Sequence, residues 1–254
     1  MKGSGVLLSI ITVNLNNDKG LKKTIASVLA QEGMSFEFIV MDGGSVENSV
    51  QCIRENEKQI SYWTSEKDGG IYAAMNKGLK KAQGDYVLFL NSGDSLSTPN
   101  ILQEIHPLLE ESPSILSCGL MVENESGGYD QRIPIQSYTY QNIFLNSLPH
   151  QSTLIKRSLF QTWGTYDEGF RIAADWEFWL RIAASPLQYR RSTLILSKME
   201  KEGLGAHMND DHFKERLRIF NRYRKMLRFN LQGLRLLIRN RNLVAWYGKK
   251  AMGL

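Results

Sequence analysis

Apolar and polar positions alternate in blocks through the first hundred residues. Residues 6–13 form a nearly continuous apolar run, the pattern of a strand buried on both faces. Asn17 follows as a helix cap, and Leu21, Ile25, Val28 and Leu29 then recur at helical spacing. Residues 36–41 predict a second strand, ending at Asp42-Gly43-Gly44-Ser45. Ser45 is expected to cap a helix to about residue 57 with Val46, Val50 and Ile53 inward. Residues 60–64 predict a short third strand. An acidic, Gly-rich turn (Glu66, Asp68, Gly69, Gly70) then opens a helix with Ile71, Ala74, Met75, Gly78, Leu79 and Ala82 on one face. A fourth strand over residues 86–90 stops at Asn91-Ser92-Gly93-Asp94, and Ser97-Thr98-Pro99 predicts the start of a helix to about residue 109. Strands alternating with helices of these lengths indicate βαβ units and an α/β fold with a parallel sheet.

The second half is less regular. Residues 115–122 and 194–198 read as strands, and 152–155 as a short extended run. Residues 123–148 are polar and aromatic, which predicts a long loop with one helical turn near 140–145. Residues 174–184 predict a helix, with Trp176 and Trp179 at core spacing. From Asp210 to about residue 238 the pattern is that of one or two basic amphipathic helices. With no repeat and no low-complexity linker, the division expected is a domain over residues 1–205 and a basic helical tail over 206–254. The domain itself divides into two halves, 1–98 and 99–205.

Charge sharpens this division. The net charge is +5. From Ala206 onward, twelve Lys and Arg face three Asp and Glu, whereas residues 1–205 hold nineteen and twenty-three. Such a tail fits nucleic acid, an anionic membrane surface or a solvated helix. No nucleic-acid-binding module accompanies it, so membrane contact and packing on the domain stay open. Cys52 and Cys118 lack CxxC or zinc-like spacing and read as reduced thiols. The first apolar run carries Ser9, Thr12 and Asn14, which suits a strand better than a signal peptide, and no run approaches the ~20 apolar residues of a membrane span.

Four successive strands end in polar groups: Asn14, then Asp42, then Glu66 and Asp68, then Asp94. In a parallel sheet those ends share one edge, where α/β proteins bind ligands. Crowded carboxylates are costly unless a cation or hydrogen-bond donors lie among them. Asp and Asn side chains suit a base edge and ribose hydroxyls, and a carboxylate after the last strand suits a divalent metal that bridges a diphosphate.

These segments resemble glycosyltransferase family 2, the inverting, nucleotide-sugar-dependent enzymes with a GT-A fold. The likeness spans residues 7–184 and rests on the order of its pieces: ITVNLNN, the turn DGGS, the block E-x-D-x-G-I-Y-x-A-M-N-K-G, then GDYVLFLNSGD, HQSTLIKRSLF and YDEGFRIAADWEFWLRI. The resemblance is to bacterial transferases that build cell-surface polysaccharides. It implies a nucleotide-sugar pocket lined by Asn14, Asp42, Asp68, Asn76, Asn91 and Ser92, with Asp42 and Asp68 nearest the base and ribose. Asn91 to Asp94 stands where the family keeps a D-x-D metal motif. Asp94 is retained there as the metal ligand, for Mn²⁺ or Mg²⁺, while Asn91 and Gly93 replace earlier acids. His150 and Gln151 match an HQ pair near the donor sugar or acceptor. Asp175, in ADWEFW, matches the catalytic base; a carboxylate at a helix start stays ionised and is able to take the proton of an acceptor hydroxyl. The alternative is that Asp175 merely caps the helix, and Asp167, Glu168 and Glu177 nearby are competing acids for the base. His207, after Gly203-Leu204-Gly205, reads as a surface residue.

Other α/β enzymes are excluded by their missing loops. The turn after the first strand is Asn14-Leu15-Asn16-Asn17-Asp18, not G-x-G-x-x-G, and neither a phosphate loop nor a G-x-S-x-G elbow is present. What remains is a transferase moving sugar, expected from a UDP-linked donor, to a glycan or lipid-linked acceptor, in the cytoplasm or peripherally on the inner face of the plasma membrane. The alternative is a nucleotide-sugar-binding protein of the same fold without turnover.

Overall fold

The computed structural model describes residues 7–200 and 210–228. His207 and the tail beyond residue 228 lie outside the described residues, as does part of the expected second tail helix. In chain order the elements are β1 (Leu8–Asn14), α1 (Asp18–Leu29), β2 (Phe36–Asp42), α2 (Glu47–Glu55), β3 (Tyr62–Ser65), α3 (Ile71–Lys81), β4 (Tyr86–Phe89), β5 (Ser95–Leu96) and α4 (Ile101–Glu110). They continue with β6 (Ile115–Glu123), β7 (Tyr129–Arg132), α5 (Tyr140–Leu145), β8 (Thr153–Lys156), α6 (Ser158–Trp163), α7 (Ala174–Ile182), β9 (Tyr189–Met199) and α8 (Asp210–Arg228).

Nine strands form one sheet in the order β3-β2-β1-β4-β8-β6-β9-β5, with β7 paired to β6 off this path. The first four strands are mutually parallel. β8 runs antiparallel to both β4 and β6, β9 runs parallel to β6, and β5 antiparallel to β9. The directions have one consequence for function. The C-terminal ends of β1–β4, β6 and β9 and the N-terminal ends of β5 and β8 all reach the same sheet edge.

The strand period of two divides the core. Ile11, Val13, Ile39, Met41, Val87 and Phe89 face a layer built with α3 and α7, whereas Leu8, Ile10, Phe38, Val40, Tyr86 and Leu88 face α1, α2 and α4. Each fully buried aliphatic or aromatic side chain contributes roughly 1.5–3 kcal/mol over its exposed state, so the two layers together fix the register. Gly78 lets α3 lie against β1, because a Cβ there would come within 2.6 Å of Ile11 Cγ2. Cys52 and Cys118 are both free and buried. Among the described residues, no helix is long and apolar enough to cross a membrane.

Several boundaries differ from expectation for identifiable reasons. α2 begins one residue late, with Val46 at its cap, because the Ser45 hydroxyl is engaged elsewhere: it donates to Asp42 and accepts from Asn16 N. α4 begins at Ile101 with Asn100 as its cap, which leaves Pro99 outside the helix. The segment read as a long loop contains β7, whose four residues are all exposed and so show no alternation. β9 extends back to Tyr189, where pairing with β6 imposes strand on a polar, arginine-containing stretch.

α8, the first part of the basic tail, is docked on the body. Ile219 is fully buried in the α7 layer. Glu215, also buried, accepts from three consecutive backbone N–H groups, Arg171 N at 2.6 Å, Ile172 N at 2.9 Å and Ala173 N at 3.0 Å. Arg222 bridges Asp167 and the buried Glu177, and the Tyr223 hydroxyl also donates to Glu177. Packing on the domain is therefore the arrangement of this helix.

Candidate active site

A cavity of about 630 Å³ opens at the shared sheet edge. Its size falls in the range of small-molecule sites. The segments that line it follow from the strand directions: Asn16 and Asn17 after β1, Asn91 to Asp94 after β4, Pro149 to Gln151 before β8, Leu120 in β6, and Met199 and Glu200 at the end of β9. Ile71 and Tyr72 of α3, residues 171–173 and Asp175 before and within α7, and His212 and Arg216 of α8 close the remaining sides.

The turn after β4 is held from below by α1. Thr24 Oγ1 lies 2.6 Å from Asp94 O and accepts from Gly93 N at 3.1 Å, while Ser92 N donates to Val13 O. Gly93 adopts φ +103°, a conformation that disfavours any side chain. A Cβ there would also approach Glu200 Oε2 to 3.1 Å. The acid that the family motif would place at this position is thus disfavoured by backbone geometry. Asp94 itself is buried, and burial pushes its carboxyl up to about 7; Glu200 adds to the rise, while His150 and Lys23 oppose it. Glu200 pairs with Lys23 at 2.7 Å.

Asp175 is the second residue of α7, where the helix dipole favours a negative charge. Its Oδ1 accepts from Trp176 N at 2.8 Å and lies 3.1 Å from the Tyr72 hydroxyl. That hydroxyl also faces Ile172 O at 2.8 Å, so its single proton is shared between two acceptors. Burial first, and Asp175 second, hold the Tyr72 hydroxyl well above its ordinary pKa, so it remains a neutral donor. The other oxygen, Oδ2, faces His150 Nδ1 at 3.3 Å. On the far side of that ring, Asn91 Nδ2 donates to His150 Nε2 at 3.1 Å. This network assigns the proton of the neutral imidazole to Nδ1, pointed at Asp175. Asn91 Oδ1 is buried with no partner among the described residues.

Asp42 does different work. It is 2% exposed, and its carboxylate accepts from Asn14 Nδ2 at 2.7 Å, Ser45 Oγ at 2.6 Å, Ser45 N at 2.8 Å and Ser65 Oγ at 2.6 Å. Burial alone would raise its pKa, but those hydrogen bonds outweigh it and hold the carboxyl below its ordinary value. Ser45 Oγ in turn accepts from Asn16 N, so Asp42 fixes the segment that lines the cavity. The Asp68 turn adjoins this one: a Cβ on Gly43 would come within 2.9 Å of Asp68 Oδ2 and 3.4 Å of Leu15 Cδ1.

The profile of the family described as "Glycosyl transferase family 2" matches residues 9–172, more than half of the chain. The chain belongs to glycosyltransferase family 2.

It is a transferase of that family. An uncharacterised glycosyltransferase of Mycobacterium tuberculosis is 35% identical over 210 residues, covering 80% of this chain and 79% of that protein. A Mycobacterium bovis glycosyltransferase of PGL/p-HBAD biosynthesis is 29% identical over 225 residues, covering 83% and 84%. Among solved structures, Staphylococcus aureus TarS 1–349 in complex with UDP-GlcNAc aligns with a TM-score of 0.68 at 18% identity. That alignment covers 84% of this chain and 65% of that one, so this chain spans a little under two thirds of the TarS segment. The mannosyltransferase PcManGT of Pyrobaculum calidifontis, in complex with GDP-Man and Mn²⁺, aligns with a TM-score of 0.64 at 13% identity, covering 88% and 68%. At these identities the two structures show the shared GT-A fold.

Within this family 2 transferase, the cavity brings together Asn91, Ser92, Asp94, His150, Gln151 and Asp175 from the residues singled out in the sequence. Asn14, Asp42 and Asp68 stand outside its lining, the first two beneath it and Asp68 at the neighbouring turn. Asn76 is elsewhere: it is buried between α3 and the segment before α7, donating to Tyr166 O and Glu168 Oε1 and accepting from Tyr166 N. Its place is structural because the α3 face it occupies packs inward. Trp176 and Trp179 are core residues whose Nε1 groups donate to Ile143 O and Leu148 O. Sequence reasoning missed Tyr72, Arg132, Arg171, Glu200 and Arg216, which reach the cavity from segments of unremarkable pattern.

Among the described residues, no group of three His, Cys, Asp or Glu side chains is arranged to hold a metal ion. The donors present are the Asp94 carboxylate and the unpartnered Asn91 Oδ1, with Glu200 alongside. One carboxylate and an amide oxygen fit a hard cation whose remaining positions are filled by diphosphate oxygens and water.

Proposed function

We propose that this transferase moves a sugar, with inversion, from a nucleoside-diphosphate sugar to a hydroxyl of a glycan or lipid-linked acceptor, in the assembly of cell-surface polysaccharide. The observation that supports it most is the setting of Asp175: a carboxylate at a helix N-terminus, oriented by Tyr72 on one oxygen and His150 on the other, opening onto a cavity with Asp94 in its wall. Asp175 takes the proton of the acceptor hydroxyl as that oxygen attacks the anomeric carbon. His150, fixed by Asn91, keeps the carboxylate aimed into the cavity. Inversion follows because base and leaving group stand on opposite faces of the sugar.

The donor lies with its diphosphate toward Asp94 and its nucleoside toward the shelf formed by the Asp42 and Asp68 turns. Leu15 and Val46, at 61% and 68% exposure, supply that shelf with the apolar edge a base needs. Asp42 acts there by fixing Ser45 and Asn16, and Asp68 is the carboxylate available to ribose or base. A Mn²⁺ or Mg²⁺ ion held by Asp94 and Asn91 supplies charge neutralisation for the departing diphosphate when bound. The similar structures hold UDP-GlcNAc and GDP-Man, which makes UDP-linked sugars the first donors to test, ahead of GDP-linked ones. The setting is the cytoplasmic face of the plasma membrane, reached peripherally through the basic tail.

The deciding experiment is a panel of nucleotide sugars scored for nucleoside diphosphate release. Release from one donor is expected, with Asp175→Asn lowering it by about three orders of magnitude or more while donor binding is kept. Donor binding with no release under any condition would overturn the reading.

A further inference from the structure

Three arginines, Arg132, Arg171 and Arg216, line the cavity and find no carboxylate partner among the described residues. Most arginines elsewhere on the described surface do find one or a carbonyl: Arg54, Arg181, Arg190 and Arg222 pair with acids, and Arg157 and Arg218 bond backbone oxygens. The three come from separate elements. Arg132 ends β7 directly across from Leu120, which also lines the cavity. Arg171 precedes α7, and its own backbone N–H is pinned by Glu215 at 2.6 Å. Arg216 is the next residue of α8, its guanidinium 4.6 Å from the centre of the Trp176 ring, and its buried Nε has no acceptor. Glu215 therefore ties the backbone of Arg171 to the residue that precedes Arg216.

Guanidinium groups that line one cavity repel one another unless an anion is shared among them. The cavity's acids do not serve: Glu200 is paired with Lys23, Asp94 is buried in the β4 turn, and Asp175 is bonded by Tyr72, Trp176 N and faced by His150. The two histidines of the lining, His150 and His212, add no negative charge. Arg216 packs on the residue after Asp175 and Arg171 sits four residues before it, so these cations stand on the side of the base, where the acceptor enters. We propose that they form a subsite for a phosphate group carried by the acceptor. Guanidinium forks match phosphate oxygens in pairs, which positions the acceptor hydroxyl against Asp175. This subsite rests on the reading of Asp175 as the base.

The test uses the full chain, with glycerol 3-phosphate as the probe and Trp176 fluorescence as one readout, since Arg216 lies over that ring. Glycerol 3-phosphate is expected to bind the wild type, and to bind equally when UDP or GDP with Mn²⁺ is already saturating. Arg171→Gln and Arg132→Gln, both at exposed positions that folding tolerates, are each expected to weaken it about tenfold, and Arg216→Lys to weaken it less than Arg216→Gln. Nucleoside diphosphate binding is expected to stay unchanged in all four. Competition between the probe and the nucleotide, or loss of nucleotide binding in the variants, would assign the arginines to the donor diphosphate and overturn the proposal. Equal binding of glucuronate would overturn the choice of phosphate. Failure of UDP and GDP alike to bind the wild type would instead overturn the donor reading, and leaves the glycerol 3-phosphate result standing by itself.

Discussion

Asp94 is held in a protein environment that prefers it protonated. Its folded pKa of about 7 against an ordinary 3.8 means that the native state binds the proton more tightly than the unfolded chain. Stability is then full below pH 4 and falls as pH rises through 7, by on the order of 4 kcal/mol at most. Asp94→Asn should raise the melting temperature of chelator-treated protein, most above pH 7 and progressively less toward pH 4. The same proton links to the metal: Mn²⁺ must displace it, so Mn²⁺ affinity should rise with pH up to about 7 and level off above. A melting temperature indifferent to the substitution at pH 8 would contradict the burial of the charge. Gly93 belongs to this turn as well. Gly93→Asp, which nominally restores the family's acid, should destabilise by about 1–2 kcal/mol and leave Mn²⁺ affinity no higher, because φ +103° admits no side chain cheaply. The sequence showed that an acid was missing at positions 91 and 93, but the reason is a backbone angle and an amide bonded to His150. Neither is written in residue type.

At the scale of elements, the sequence was legible where a hydrophobic period existed and mute where pairing alone makes structure. β1, β2, β4, α1 and α3 have long periodic or continuous apolar patterns, and each appears within two residues of its expected place. β7 and the first half of β9 are polar on the outer sheet, so only their partners in β6 define them. α8 was readable as amphipathic, but not what it covers. Its Glu215 is the piece with consequences, since one carboxylate closes three backbone donors in the loop that aims Asp175. Glu215→Gln offers a single oxygen to the same three N–H groups and turns its amide hydrogens toward one of them. A loss of about 2–3 kcal/mol is expected in urea unfolding. The turnover number should fall more than donor KM rises, because the loop adjoins the proposed base and not the proposed donor shelf. A donor KM effect alone would argue against this clamp.

For the whole molecule, the site exists because eight strands present an end to one edge; the legibility of Asp42 and Asp94 in sequence reflects that topology, whereas Asp175, in α7, was legible through the family motif. Closing the cavity takes α8 as well. Deleting residues 206–254 removes Ile219 from the core and leaves the 2% exposed Glu177 with Arg181 as its one remaining partner. A buried charge stripped of two of its three partners and an open apolar face together should lower stability by several kcal/mol, read as a fall in melting temperature and gain of hydrophobic-dye binding. Deleting only residues 231–254 removes none of these contacts, so it isolates the tail's other expected role. If the shorter deletion leaves partition onto anionic vesicles unaltered, membrane attachment through that segment is excluded.

The position of Glu215 and Arg216 after every strand has a consequence for biosynthesis. A chain emerging from the ribosome completes the nucleoside shelf and the Asp94 turn by residue 94, and the base by residue 175, yet the loop that aims the base is locked only when α8 arrives. On the proposed assignments, a chain that stops short of α8 would meet a donor before its base is aimed, so the arrival of α8 gates activity.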